Sequence, residues 1–225
     1  MKEEHRAMPR QSTAARQPAQ SRDKLLEAAF EVFARYGYAG ATTREICARA
    51  GGLNVSALHY HWGDKAQLWD AVCERYSRRI RDIVAASADL GAPPDQAVPA
   101  FLGAVFDAFV AHPDLARFNM WVTLEADTID YQATRRHMDP LVHMGAAYLK
   151  QQQAQGMMKD VDVEAVLVLV SAQLIYALAQ RNAHRHLFKK DLSDARHASR
   201  IKRSFMKSAM HLMGMETAEQ AEINK

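Results

Sequence analysis

Ten histidines and two cysteines are the residues of this 225-residue chain best suited to metal or nucleophile chemistry. Their spacing argues against it. His137 and His143 lie six apart and His184 and His186 two apart, so neither pair shares a helix face as an i, i+4 zinc pair does. No carboxylate-x-x-His pattern and no nucleophile motif accompanies them. Cys47 and Cys73 each fall inside a helical pattern and read as small buried apolar residues. No catalytic residue, metal or cofactor is expected, and the chain is not read as an enzyme.

A different constellation lies between residues 42 and 65. Thr42, Thr43 and Arg44 open a short helix whose free backbone N–H groups and partial positive charge suit a phosphate. Asn54 is a good N-cap for a second short helix, on which Val55, Ser56, His59 and His61 can face outward while Leu58 and Trp62 anchor inward. Lys65, just beyond, can reach another phosphate. Such a rod must be thin, polar on its outer side and held rigidly from behind if it is to enter a groove of duplex DNA.

The flanking sequence supplies those supports. A first helix, about Ser21 to Tyr36, carries Leu25, Leu26, Ala29, Phe30 and Phe33 on one face, and Gly37 ends it. Thr42 and Glu45 form a capping box for the second helix, and Gly51-Gly52 supplies the turn into the third, about Asn54 to His61. Gly63 breaks the third helix, and Asp64 with Gln67 starts a long fourth one that carries Leu68, Val72, Tyr76, Ile80 and Val84. Further helices are expected at about Asp95 to Ala111, Asp114 to Asp127 and Asp130 to Gln155, where Pro140 should kink or restart the last. The eighth is expected at about Val163 to Phe188 and the ninth at about Ser193 to Met213. The expected fold is therefore all-α with about nine helices. It divides into a flexible polar arm (1–20), a helix-turn-helix domain (21–66), a helical ligand-binding and dimerisation domain (67–214) and a polar tail (215–225).

Charge agrees with this division. Residues 1–65 hold ten Lys and Arg against seven Asp and Glu, while residues 66–225 hold nineteen of each, so the net +3 lies in the N-terminal third. The N-terminus lacks an apolar signal core. The longest apolar stretch, Ala165 to Ala179, is shorter than the roughly 18 residues a bilayer span needs. A cytoplasmic protein with no membrane partner is expected.

The run TTREICARAGGLNVSALHYHWGDKAQL, residues 42–68, resembles the DNA-binding signature of the TetR family, T-x-x-x-I-A followed by A-G-V-S/N-x-x-T-L-Y-x-H-F-x-S-K-x-x-L. The likeness extends over roughly residues 21–75. It implies an all-helical homodimer that reads a palindromic operator in double-stranded DNA, with an inducer in the C-terminal domain reorienting the heads. Thr43 and Arg44 match positions that touch DNA at the start of the second helix. Val55 and Ser56 match the variable base-reading positions, and Tyr60 and His61 match the end of the recognition helix near phosphates. Lys65 matches a phosphate-binding lysine. The sequence departs from the pattern at Ala57, His59, Trp62 and Asp64, where Thr, Tyr, Phe and Ser are usual; His59 can stand in for the tyrosine as a phosphate donor.

By the same resemblance a small-molecule effector lies among helices five to eight. The candidate lining is Phe101, Phe106, Met120, Trp121, Leu124, Met144, Tyr148, Gln173 and Tyr176, which suits a moderately apolar ligand. The eighth helix, apolar round most of its circumference, and the ninth, with Ile201, Phe205, Ala209 and Leu212, are the expected dimer bundle. A ligand-responsive repressor is the leading reading. A transcriptional activator, a ligand-independent architectural DNA-binding protein and a helical metal-binding enzyme remain as alternatives.

Overall fold

The computed structural model describes residues 13–87, 89, 91–125 and 131–215. Among these residues the fold is all-helical. α1 (Thr13–Gly40), α2 (Thr43–Arg49), α3 (Val55–Trp62) and the root of α4 (Lys65–Ser87) form an N-terminal head. The body holds the rest of α4 with α5 (Pro94–Ala111), α6 (Pro113–Leu124), α7 (Tyr131–Ala154), α8 (Val163–Ala179), α9 (Arg181–Phe188) and α10 (Ala195–Leu212).

Helix starts follow local chemistry. The Thr42 hydroxyl accepts the Glu45 N–H at 3.1 Å, Asn54 Oδ1 accepts the Ala57 N–H at 2.7 Å, and Asp64 Oδ1 accepts the Gln67 N–H at 2.8 Å. Asp162 and Asp194 cap α8 and α10 in the same way. Pro113, with no N–H to leave unsatisfied, opens α6 after a 102° bend from α5.

Three expectations change. α1 begins at Thr13, so residues 13–20 of the expected arm are helical; its residues 1–12 lie outside the described residues, as do 216–225 of the expected tail. The helical path of α1 does break at Gly37, whose φ of 71° and ψ of −178° redirect the chain. α7 continues through the exposed Pro140 without restarting. The expected eighth helix is two: α8 ends at Gln180 and α9 leaves at 66°, which makes ten helices among the described residues rather than about nine. That bend carries Arg181 and Arg185 onto the Asp191 carboxylate, holding its pKa well below the ordinary carboxylate range, with the Ser193 N–H the strongest single contributor.

The core of the head runs into that of the body. Leu25, Ala29, Phe33, Ile46, Leu58 and Leu68 are fully buried together, and α1 packs along α6. Between them lies a cluster of rings. Phe118 of α6 sits 5.4 Å from Phe30, 5.1 Å from Trp69 and 5.3 Å from Tyr76, and Phe33 meets the Trp69 ring edge-on at 5.0 Å. Both cysteines are buried and unbridged, and burial pushes both thiols up.

At the far end, His184 of α9 and His197 of α10 pack with ring centroids 5.9 Å apart. His184 Nδ1 and His197 Nε2 are buried without a hydrogen-bond partner among the described residues. Burial, then Arg200, His184 and Lys190, lower the His197 pKa below its ordinary 6.5, against a smaller opposing pull from Asp194. The unfolded chain therefore takes up this proton more readily than the fold. The stability from neutral His197 is complete above about pH 6.5 and is lost as pH falls through and below that value. Thermal midpoints should fall between pH 7.5 and 5.5, and a His197→Leu variant should lose less over that interval. An equal loss in both proteins would assign the effect to other groups.

Candidate nucleic-acid interface

α3 is eight residues long and is held from one side only. Leu58 is fully buried beneath it, and Trp62 closes its end, with the indole N–H donating to the Arg22 carbonyl at 3.3 Å and the Arg22 guanidinium 4.1 Å over the ring. Gly51 and Gly52 form the turn between α2 and α3 at φ of 94° and 78°, a backbone region that favours glycine. Two short helices at a fixed angle result, with the second presented outward.

The sequence candidates divide on that frame. Ser56 and His59 are exposed, Tyr60 is 81% exposed, and His61 is half-buried with its ring edge-on to Tyr60 at 4.9 Å. Arg44 and Thr42 are exposed at the start of α2, and Thr43 is half-buried beside them. Asn54 is exposed and caps α3. Val55 is half-buried and packs against the core, so less of it faces outward than its place on the helix suggested. His59 Nδ1 lies 2.5 Å from the Gly63 carbonyl and closes the helix end, which leaves Nε2 as the outward atom.

Lys65 stands differently from its sequence assignment. Its ammonium donates to the Tyr38 carbonyl at 2.9 Å and the Ala41 carbonyl at 3.1 Å and lies 4.3 Å over the Tyr38 ring. Two of its three donor hydrogens are engaged in a strut between α4 and the α1–α2 linker. No residue pattern pointed to this partner, because carbonyls carry no residue signature.

Behind the head, α4, α5, α6, α7 and α8 enclose a cavity of about 430 Å³. Phe101, Met144 and Tyr148 line it, as do Tyr76, Ile80 and Val84 of α4, Asn119 and Val122 of α6 and Val170 and Leu174 of α8. The α4 residues belong to the stripe Leu68 to Val84 that was not among the candidate lining residues, and their spacing of four was the signal that could have placed them here. Six other candidates lie elsewhere. Phe106 is buried against Phe205 in a stacked pair, and the Trp121 ring points at Gly37. Met120 is half-buried in the core, whereas Leu124, Gln173 and Tyr176 are exposed. One helix face alone meets a cavity: Asn119, Val122 and Thr123 on α6 turn the intervening residues away, as Leu167, Val170 and Leu174 do on α8.

The polar atoms in the wall are mostly paired. Asn119 donates to the Tyr76 hydroxyl at 2.9 Å, the Trp69 indole donates to Thr134 at 3.1 Å, and Arg135 is bonded to Asp139 at 2.7 Å. The Tyr148 hydroxyl is buried with no partner among the described residues, and burial raises its pKa. Burial likewise pushes up the Tyr76 phenol.

An outward two-turn rod on a helical pair, joined to a hollow helical body, is the architecture of a helix-turn-helix head on a helical domain. The chain belongs to the TetR family. The pattern of bacterial regulatory proteins of the tetR family matches residues 25–72, and that of the tetracyclin repressor-like C-terminal domain matches residues 97–209. The chain is 30% identical over 117 residues to the HTH-type transcriptional repressor SCO4008 of Streptomyces coelicolor, a stretch covering 52% of this chain and 57% of that one. It is 27% identical over 176 residues to the HTH-type transcriptional repressor NicS of Pseudomonas putida, covering 76% of this chain and 80% of that one. A match to the repressor AcnR of Corynebacterium glutamicum, at 37% identity, covers 32% of this chain and 37% of AcnR. The chain thus spans little more than half of SCO4008 and about a third of AcnR. Among solved structures, a TetR-family regulator from Shewanella sp. PV-4 superposes with a TM-score of 0.65 at 18% identity, covering 87% of this chain and 99% of that one. The regulator SCO4942 of Streptomyces coelicolor does so at 0.64 and 22%, with the same coverage. At such identities these two speak for the fold.

Proposed function

We propose that the protein is a repressor that binds a palindromic operator as a homodimer and is released by a small apolar molecule bound in the cavity. The observation that carries this is α3: a rigid rod whose outer side is Ser56, His59, Tyr60 and His61 and whose inner side is fully buried. Ser56, with the outer edge of Val55, is the base-reading pair in this reading. Thr42, Thr43, Arg44, Asn54, His59, Tyr60 and His61 flank the groove and contact backbone. Lys65 acts chiefly through the linker it braces and offers at most its third hydrogen to a phosphate. Repression rather than activation is favoured by the names of SCO4008, AcnR and NicS, all transcriptional repressors. Action on chromosomal DNA places the protein in the cytoplasm; no single described helix is long and apolar enough to cross a membrane.

The cavity chemistry favours a neutral effector. Its charged lining residues, Arg135 and Asp139, already pair with each other, and most of the wall is aliphatic or aromatic. Three α4 residues stand in that wall, so a ligand that fits one inclination of α4 better than another shifts the spacing of the two heads.

A second copy supplies the second reading rod. α8 exposes Val168, Leu169 and Tyr176 on the face opposite the cavity, which supports it as the centre of the dimer contact. The expected stripe on α10 is different: Phe205 and Ala209 are covered within the protomer, and its outward face carries Arg196, Arg200, Arg203 and Lys207.

The test is a gel shift on duplexes selected from a random pool, across a salt series. Affinity for selected duplexes should exceed that for random DNA by at least about 10³ and should weaken as salt rises. Ser56→Ala should change which duplex is preferred, whereas Tyr60→Phe should weaken all duplexes alike. Equal affinity for selected and random DNA at low salt would refute the reading.

A further inference from the structure

We propose that Glu125 is a positioning residue that fixes the DNA-reading head to the cavity wall through α6, by a contact distinct from the α4 residues that line the cavity. The inference rests on the operator-binding reading above and concerns how that head is held. Glu125 ends α6 and is 7% exposed. Its carboxylate reaches across to the linker 38–41, the end of α1 beyond the Gly37 break and the residue after it, where Oε2 accepts the Tyr38 N–H at 2.5 Å and Oε1 accepts the Ala39 N–H at 3.1 Å. Hydrogen bonds that backbone N–H groups donate to a carboxyl group hold the main chain itself, so these two fix where the chain lies rather than which side chain it carries.

The linker is shaped for this contact. Gly37 sits at φ of 71°, and a Cβ there would come within 2.6 Å of Glu125 Oε1 and 2.7 Å of the Trp121 ring. Any other residue would force the carboxylate away. The opposite side of the same linker is held by Lys65 through the Tyr38 and Ala41 carbonyls. Lys65 is the first residue of α4, and only Gly63 and Asp64 separate it from α3. A continuous path therefore runs from α6, through Glu125, the Tyr38–Ala41 linker and Lys65, to the base of the reading rod.

At its other end the path starts in the cavity. Asn119, Val122 and Thr123 stand in the cavity wall within two turns of Glu125 on the same rigid helix. A group that pushes on this face of α6 displaces the carboxylate, and the linker amides follow or lose their acceptor. α4 transmits tilt, whereas Glu125 sets the seat on which the head rests.

The experiment uses the full-length protein and a duplex selected from a random pool by the wild type. If the wild type selects none, the DNA-binding reading fails and this one is not reached; if it selects one, the variants decide. Glu125→Ala and Gly37→Ala break the same contact from opposite sides. Each should lower affinity for the selected duplex on the order of tenfold while leaving affinity for random duplex unchanged. Together they should do little more than either alone. Amide exchange at Tyr38 and Ala39 should quicken in both, and Glu125→Gln, which keeps an acceptor, should restore part of the protection. Val122→Phe, which extends into the cavity, should shift exchange and affinity with Glu125 present and do neither in the Glu125→Ala background. Unchanged affinity and exchange in Glu125→Ala, or effects of the two single variants that simply multiply, overturn the proposal. So does a Val122→Phe effect that is absent with Glu125 in place or persists undiminished without it.

Discussion

Phe118→Ala should destabilise the protein by about 3–5 kcal/mol, the range for deleting a fully buried aromatic ring from a packed core. Phe118 has no exposed surface and touches Phe30, Trp69 and Tyr76, so its ring is shared by α1, α4 and α6. The neighbours cannot close the gap by moving independently, because Trp69 is tied to Thr134 and Tyr76 to Asn119. The cavity term should therefore remain nearly whole. Phe101→Ala provides the contrast. Phe101 is half-buried on the wall of an existing void, so its removal enlarges a space already open and should cost under half as much. Urea unfolding of both variants measures the difference. A loss below about 1 kcal/mol for Phe118→Ala would mean that head and body do not share a core.

That shared core shows where sequence reading succeeds and where it stops. The head was legible nearly residue by residue, because its signals are local. Thr42, Asn54 and Asp64 are caps that act within three residues, and Gly51 and Gly52 permit a turn that other residues resist. Leu58 and Trp62 were readable as anchors because the outward side of α3 is so polar. The body offered less contrast. α8 is apolar round most of its circumference, so little in its sequence separates Leu174, which faces the cavity, from Tyr176, which faces outward. Its end at Gln180 has no glycine or proline to mark it, and the pairing of Arg181 and Arg185 with Asp191 that accompanies the break is a contact between residues six to ten apart. Lys65 illustrates the same limit within the head. Its place in the family pattern pointed to phosphate, but its donors meet two backbone carbonyls that no residue type announces. Long-range contacts to backbone, such as those of Lys65 and Glu125, are the class of interaction a single sequence conceals.

Leu169→Glu should convert a dimer into a monomer of 25.3 kDa, with the larger consequence falling on DNA binding. The outward face of α8 leaves Val168 60%, Leu169 47% and Tyr176 64% exposed, and the end of α9 adds Leu187 and Phe188 at 68% and 61%. Large apolar residues grouped on one side of a hollow body mark a contact surface. In a two-fold contact each substitution appears twice, so a glutamate at 169 would bring two carboxylates into an apolar seam where neither finds a partner. Arg203→Glu is the matched control. It reverses a charge on the exposed, basic side of α10, where two-fold packing would set Arg196, Arg200, Arg203 and Lys207 against their own copies, and it should leave assembly unchanged. Operator binding should follow assembly. Two linked heads gain about 10²–10⁴ over one through effective concentration, and a monomer forfeits that gain on a full palindrome while binding a half-site as well as the wild-type head does. Light scattering gives the mass, and gel shifts on full and half operators give the split. If Leu169→Glu remains dimeric with full operator affinity, the dimer contact lies elsewhere on the body; if Arg203→Glu dissociates the protein, that contact runs along α10.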